Sequence, residues 1–201
     1  MGNITSLGSI VRTHSQNIGN KTALVLGDRT QSWSQLYERS MKMANALAAA
    51  GVGSQDRIAF LDKNGIEHFE VLYGAALLNA VSVDVNFRLA GPEVEYIVNN
   101  SEAKVFIVGP DFVPILDAIA DNLTTAKTIV VIGGHSKFQS YDTFIESGKA
   151  VDPNVPSADG DVAFQLYSSG TTGRPKGVML TNSNFFALIP FAKEMWKFDD
   201  N

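Results

Sequence analysis

The sequence predicts an α/β protein in which a mostly parallel sheet is covered by helices. The main observation is alternation: through residues 1–149, short apolar runs alternate with segments whose apolar residues recur at helical spacing. The composition agrees, because 45% hydrophobic and 18% charged residues is the balance of an ordinary globular domain. The length of 201 residues suits one large domain or part of a larger one.

The elements follow one another in strand–helix pairs. Strands are predicted at 22–26, 57–61, 81–85, 105–108 and 128–132. Helices are predicted at 36–48, 66–77 and 112–119, and another begins at Gly91-Pro92. Gly27-Asp28 is a turn pair that ends the first strand. Gly51 lies where a helix C-terminal cap belongs, and Asn64 is expected to cap the helix that follows it.

The chain divides after this alternating part. Residues 150–160 contain two prolines and two aspartates, which predicts a linker between an α/β N-terminal subdomain (1–149) and a final segment (161–201). The final segment is expected to hold two strands, the polar loop between them and a helix from about 182 to 198. We expect it to be incomplete at its C-terminal end. Pro190 predicts a kink or a break in the helix.

Charge and composition exclude several functions. The formal net charge of −5, from 16 basic and 21 acidic residues, argues against general nucleic-acid binding. The absence of cysteine excludes disulfides, a thiol nucleophile and zinc–thiolate sites. His14, His68 and His135 share no metal-ligand spacing, and we expect them in ordinary packing or surface positions. No apolar run is long enough to span a bilayer, and no signal peptide is present, so we expect a cytoplasmic protein.

Residues 167–177, YSSGTTGRPKG, form a polar loop between apolar runs at 162–166 and 178–180. Its glycines allow backbone N–H groups to approach a ligand, its hydroxyls add donors, and Lys176 adds a compact cation. Together these groups suit a polyphosphate. The P-loop pattern is not met, because Pro175 stands where its second glycine is required. Pro175 also disfavours a helix at Arg174, so the loop is expected to join strand to strand. A solvated hairpin turn is the alternative.

The loop closely resembles the signature of the adenylate-forming (AMP-binding) superfamily, which includes acyl-CoA synthetases, aryl-CoA ligases, luciferases and peptide-synthetase adenylation domains. The family form is [YF]-[TS]-[ST]-G-[ST]-T-G-x-P-K-G, and every fixed position is filled. The segments SWSQL (32–36) with ANAL (44–47), and LYGAALLNAV (72–81), resemble further family segments, with Asn79 where glycine is usual. NFRL (86–89) is similar to the acyl-CoA synthetase branch, closest to fatty-acid and long-chain enzymes.

This resemblance implies a fold and a reaction. The fold is part of the large N-terminal domain of acyl-CoA synthetases. The reaction is ATP-dependent activation of a fatty (aliphatic) carboxylic acid to acyl-AMP and then to acyl-CoA, with Mg²⁺ and coenzyme A. Lys176 would be catalytic, contacting the β- or γ-phosphate, and Ser168 would help to hold magnesium. The predicted nucleotide-binding residues are Ser168, Ser169, Gly170, Thr171, Thr172, Gly173 and Lys176.

Several alternatives remain open. The family places its adenine and ribose sites and a late catalytic lysine beyond residue 201, so we expect an N-terminal fragment that does not catalyse adenylation alone. The parent could instead be an aryl-acid ligase or a carrier-protein-loading adenylation domain, or the chain a non-catalytic nucleotide- or protein-binding module. Further partners to consider are a membrane surface, contacted peripherally, and a second copy of the chain. Four aromatic residues are expected in the core rather than in an acyl tunnel: Phe185, Phe186, Trp196 and Phe198.

Overall fold

The computed structural model describes residues 4–168 and 173–197. Its strands are β1 (Thr22–Leu26), β2 (Arg29–Ser32), β3 (Arg57–Leu61), β4 (Val81–Asp84), β5 (Val105–Val108), β6 (Thr128–Val131), β7 (Gln139–Ser140), β8 (Val162–Ser168) and β9 (Lys176–Thr181). Its helices are α1 (Leu7–Ile18), α2 (Trp33–Ala49), α3 (Ile66–Leu77), α4 (Gly91–Asn100), α5 (Val113–Ile119), α6 (Tyr141–Glu146) and α7 (Asn182–Trp196). Short 3₁₀ turns flank α5.

The main sheet has seven strands in the order β7-β6-β5-β3-β4-β8-β9. Every neighbouring pair in it is parallel except β8 and β9, which are antiparallel. A separate antiparallel hairpin joins β1 to β2. The predicted α/β class with a mostly parallel sheet is therefore confirmed. The five strands predicted in residues 1–149 are present within one residue of their expected ends, whereas β8 and β9 each extend two residues further into the polar loop than predicted.

Helices cover both faces of this sheet. Side chains alternate along β3, so that Ile58 and Phe60 pack with α2 and α3, while Ala59 and Leu61 pack with α4 and α5. All four residues of β5 are buried. This two-sided burial explains why the strands are continuous apolar runs in the sequence.

Local signals set the helix ends. Ser32 and Gln35 form a capping box at the start of α2, and Gly51 follows that helix with φ +86°, in the left-handed region that favours glycine. The prediction that Asn64 caps α3 is wrong. The extended residue before that helix is Gly65, which has no capping side chain, and Asn64 lies one position too early.

Asn79 stands where glycine is usual in the family, and its backbone conformation explains why asparagine fits there. Its φ of +54° is left-handed, a conformation that asparagine tolerates better than most residues. Its side-chain Nδ2 donates to Asp161 Oδ2 (2.9 Å) and Ser54 Oγ (3.0 Å). Asn79 therefore takes the left-handed conformation found in the turn after α3, and its side chain links that turn to Asp161, directly before β8.

Residues 150–160 contain no helix or strand, but Asp152 fastens them to the domain. Its carboxylate accepts hydrogen bonds from Arg12 Nη2 (2.8 Å) and from the Tyr37 hydroxyl (2.6 Å). Partial burial disfavours the charged form, but these hydrogen bonds outweigh it and lower the pKa of Asp152 to about 2. The division of the chain at this segment stays a prediction.

Helix α7 differs from the sequence prediction for its aromatic residues. The helix continues through Pro190 without a break, although proline supplies no N–H to the preceding turn, and the alternative of a kink at this residue stays a prediction. Its aromatic residues are not core: Phe185 is 41% exposed and Trp196 61% exposed. The reason is that only Asn182, in the first turn, is buried against the domain. Phe198 lies outside the described residues. None of the described helices combines the length and apolarity that crossing a membrane requires.

Candidate functional site

The polar loop connects β8 to β9, as the sequence predicts. The two strands form an antiparallel hairpin in which Ser168 pairs with Lys176 and Tyr167 pairs with Gly177. Gly173 has a φ of +99°, which suits glycine. Four of the predicted nucleotide-binding residues lie outside the described part of the chain, so their roles stay predictions: Ser169, Gly170, Thr171 and Thr172.

The hairpin presents Lys176 and Ser168 on one face. Residues directly opposite each other in an antiparallel pair point to the same side, and side chains alternate along each strand. Lys176 therefore shares a face with Val178 and Leu180 of its own strand. Its side chain is exposed, and within residues 4–168 and 173–197 it has no hydrogen bond or ion pair. A positive charge that has no partner in these ranges is thus available to an anion.

That face borders a cleft of about 630 Å³. Ser168, Val178 and Leu180 line one side of it, and residues that follow β3 and β4 line the other. The connection after β3 leads to α3 on one face of the sheet, and the connection after β4 leads to α4 on the other. Such a switch point at the carboxyl ends of parallel strands is where open α/β sheets bind ligands.

His68 and Asp84 meet inside this cleft. His68 Nε2 lies 2.8 Å from Asp84 Oδ2, and the imidazole stacks on Phe60 with 4.9 Å between ring centroids. Ser82 Oγ donates to the other carboxylate oxygen of Asp84 (3.2 Å). The sequence analysis expected His68 in a packing or surface position and did not predict its pairing with Asp84. The available signal was topological, since His68 lies on the helix that leads into the strand ending at Asp84.

Two further charged groups lie at the cleft. Burial raises the pKa of Asp62 above its ordinary value. Arg88, in the NFRL segment, places its guanidinium 4.7 Å from the centroid of the Phe87 ring. The cleft therefore combines an apolar interior with a few polar groups, which is the usual make-up of a small-molecule site.

Metal ligands do not converge in the described ranges, 4–168 and 173–197: no three His, Asp or Glu side chains gather there in a way that could hold an ion. His14 lies edge-on to Trp33, and His135 stacks on Phe138. The predicted magnesium role of Ser168 is not tested by this geometry. Its hydroxyl could supply one oxygen, and other ligands would come from water or phosphate.

Comparison with known proteins identifies a family. The AMP-binding enzyme family matches residues 11–200. A fatty acid–[acyl-carrier-protein] ligase, ScoC, of Streptomyces coeruleorubidus is 34% identical over 186 residues, covering 90% of this chain and 34% of that protein. The long-chain-fatty-acid–CoA ligase FadD13 of Mycobacterium tuberculosis is 37% identical over 158 residues, covering 78% of this chain and 31% of that protein.

Solved structures agree with these relatives. The crystal structure of the anthranilate CoA ligase AuaEII in complex with anthranoyl-AMP superposes with a TM-score of 0.87 at 29% identity, covering 92% of this chain and 36% of that one. The chain thus spans about a third of the length of the curated relatives it matches. Ligases for fatty acids and for aromatic acids both occur among the similar proteins.

Proposed function

The chain belongs to the AMP-binding enzyme family, and on that premise we propose that it serves the ATP-dependent activation of a fatty acid to acyl-AMP and then to acyl-CoA. The reaction is that of the whole protein. The chain from 1 to 201 is expected to hold nucleotide phosphates but not to complete adenylation alone.

One observation carries this proposal. Lys176 ends a loop that fills every fixed position of the family signature, it is exposed on the cleft face of the hairpin, and it has no partner in the described parts of the chain. A solvated turn needs neither a lysine at this position nor the surrounding hydroxyls and glycines. Binding of a triphosphate uses the lysine, the hydroxyls and the glycines together.

The chemistry requires stabilisation of a leaving group. A carboxylate oxygen forms a bond to the α-phosphorus, and the bond from that phosphorus to the bridging oxygen breaks, which leaves the electron pair on pyrophosphate. Lys176 and the loop donors would stabilise this growing charge. Magnesium, when bound, would neutralise phosphate charge, with the Ser168 hydroxyl as one ligand. The thiol of coenzyme A then attacks the acyl carbon and releases AMP.

The fatty-acid substrate rests on two supports. The NFRL segment at the cleft is similar to that of acyl-CoA synthetases, and two relatives at 34% and 37% identity are fatty-acid ligases. The ScoC relative favours a carrier protein as a second candidate acceptor. ATP–pyrophosphate exchange by the complete gene product, with fatty and aromatic acids compared, tests the substrate class. Faster exchange with aromatic acids would contradict a fatty-acid enzyme.

The phosphate-binding role can be tested on this chain. Lys176→Ala should weaken the binding of inorganic tripolyphosphate about tenfold or more, because it removes a charge-assisted contact. Lys193→Ala is the matched control, since it deletes an exposed lysine from α7. Isothermal titration calorimetry measures both affinities. Equal affinities for the two variants would contradict the role given to Lys176.

A further inference from the structure

We infer that helix α4 positions the phosphate loop, with Tyr96 and Asn100 as positioning residues that each hold one arm of the β8–β9 hairpin. This inference rests on the proposed function, because it assigns a purpose to contacts around the phosphate-binding loop. Tyr96 and Asn100 are four residues apart on α4, so they lie on one face of the helix, one turn from each other.

Asn100 holds the arm that enters the loop. The Tyr167 hydroxyl donates to Asn100 Oδ1 (2.8 Å), and Gln165 Nε2 donates to the Tyr167 oxygen (3.2 Å). Burial raises the pKa of Tyr167 above its ordinary value, so the hydroxyl stays protonated and remains a donor. Gln165 is 6% exposed, so the row begins buried beneath the hairpin and ends at the exposed hydrogen bond between Tyr167 and Asn100.

Gly177 leaves room for the side chains of Gln165 and Tyr167 beside β9, the arm of the hairpin that leaves the loop. A Cβ at this position would lie 2.6 Å from Gln165 Nε2 and 3.3 Å from Cζ of Tyr167. Glycine is needed here because neighbouring side chains approach its Cα closely, and not because of its backbone angle, since its φ is not in the left-handed region. Because Gly177 is paired with Tyr167 and follows Lys176 directly, the hydrogen-bonded row fixes both strands beside the lysine.

Tyr96 holds the arm that leaves the loop. The guanidinium carbon of Arg174 lies 5.5 Å from the centroid of the Tyr96 ring, within the range of a cation–π contact. Glu93 and Glu95 border the same crevice but have other partners, the Ala90 N–H and the Asn122 amide. In the described part of the chain neither carboxylate pairs with Arg174. Among the described residues that border this crevice, the Tyr96 ring is thus the group that contacts the Arg174 guanidinium.

The hydrogen-bonded row lies on the opposite side of the hairpin from Lys176. Tyr167 and Gly177 alternate with Ser168 and Lys176, so the α4 side binds the protein and the cleft side is left to the ligand. Helix α4 is itself fixed by three fully buried residues, Val94, Ile97 and Val98. A loop held in this way loses less conformational freedom when a ligand binds, which strengthens binding.

The test compares tripolyphosphate affinity among variants of this chain. Tyr96→Leu should weaken binding about two- to fivefold, the size of an exposed cation–π contact. Tyr96→Phe keeps the ring face and should restore the wild-type affinity. Arg174→Gln should weaken binding similarly, and the double variant Tyr96→Leu/Arg174→Gln should bind no more weakly than Arg174→Gln alone. Hydrogen exchange of the 173–178 amides without ligand should be faster in Tyr96→Leu than in Tyr96→Phe.

The outcomes separate the two claims. If the wild-type chain binds no tripolyphosphate, the proposed function fails. If the wild type binds but Tyr96→Leu binds equally well, with unchanged exchange at 173–178, the positioning inference is overturned. A loss in Arg174→Gln that Tyr96→Leu does not share would also overturn it, because Arg174 would then act directly on the phosphates. If Tyr96→Leu fails to fold, the pair Arg174→Gln and Arg174→Lys replaces it, and equal affinity and exchange in that pair would count against the inference.

Discussion

At the scale of single residues, Lys176 and Gly177 have different roles at the start of β9. The lysine is exposed and unpaired within the described ranges, while the glycine leaves room for the buried side chain of Gln165. The first property follows from composition and motif. The second depends on a residue of the neighbouring strand, so it appears only once the strand register is known.

Gly177→Ala should destabilise the chain by about 1–3 kcal/mol, because the new methyl group overpacks a site where Gln165 and Tyr167 are already in contact. Urea unfolding followed by circular dichroism gives the free energy of unfolding. Gly160→Ala is the matched control, since a Cβ there has no neighbour within 4 Å, and we expect it to unfold like the wild type. Equal stability of the two variants would show that the space is not required.

At the scale of elements, the 150–160 segment acts as a strap whose main attachment is Asp152. Its contacts reach Arg12 on α1 and Tyr37 on α2. The pKa of Asp152 is lowered in the folded chain, so this carboxylate contributes stability above its unfolded pKa near 4. That contribution is lost as the pH falls through the folded value of about 2.

Asp152→Asn should therefore lower the free energy of unfolding by about 1–3 kcal/mol at neutral pH. The difference from the wild type should shrink as the pH is lowered from about 4 to about 2. Thermal unfolding across this pH range measures the effect. Asp28→Asn, at an exposed turn, controls for the removal of one carboxylate. A stability difference that is the same at pH 2 and pH 7 would contradict the linkage.

The elements that the sequence predicts are those with apolar periodicity. Strand β3 and helix α3 have their predicted bounds because they are buried, whereas β2 contains no apolar residue and forms because the Gly27-Asp28 turn folds it back on β1. Helix α6 was missed although its buried residues, Tyr141, Phe144 and Ile145, recur at helical spacing. Its six residues are too few for periodicity to decide.

The candidate site likewise contains parts that the sequence predicts and parts that it does not. The loop and its lysine are visible in the sequence because the motif is contiguous. The supports on α4 are not, because Asn100 lies 67 residues from Tyr167 and neither Tyr96 nor Asn100 stands out from its neighbours. Only the sheet order, which brings β8 beside β4, places these residues under the loop.

At the scale of the whole molecule, one side of the chain presents apolar surface. Strand β9 is an edge of the main sheet, and beyond it α7 exposes a helical stripe of large apolar residues that includes Leu188 (63%), Phe191 (66%) and Met195 (73%). An open edge strand beside an apolar helix is a surface that favours association. We expect copies of this chain to associate through it.

Leu188→Lys/Phe191→Lys should shift the chain toward the monomer in sedimentation velocity at micromolar concentration, because charge replaces apolar contact area. Ala187→Lys adds charge to the same helix without removing a large apolar side chain, and it should leave association largely intact. A wild-type chain that remains monomeric throughout this concentration range would contradict the expected association.

The central claim is that the loop ending in Lys176 holds the triphosphate of ATP. A crystal structure of the complete gene product with ATP tests it most directly. We predict β- or γ-phosphate oxygens within hydrogen-bond distance of Lys176 Nζ, with the loop wrapped around the phosphates. ATP bound with its phosphates at another site, and this loop in contact with none of them, would contradict the claim.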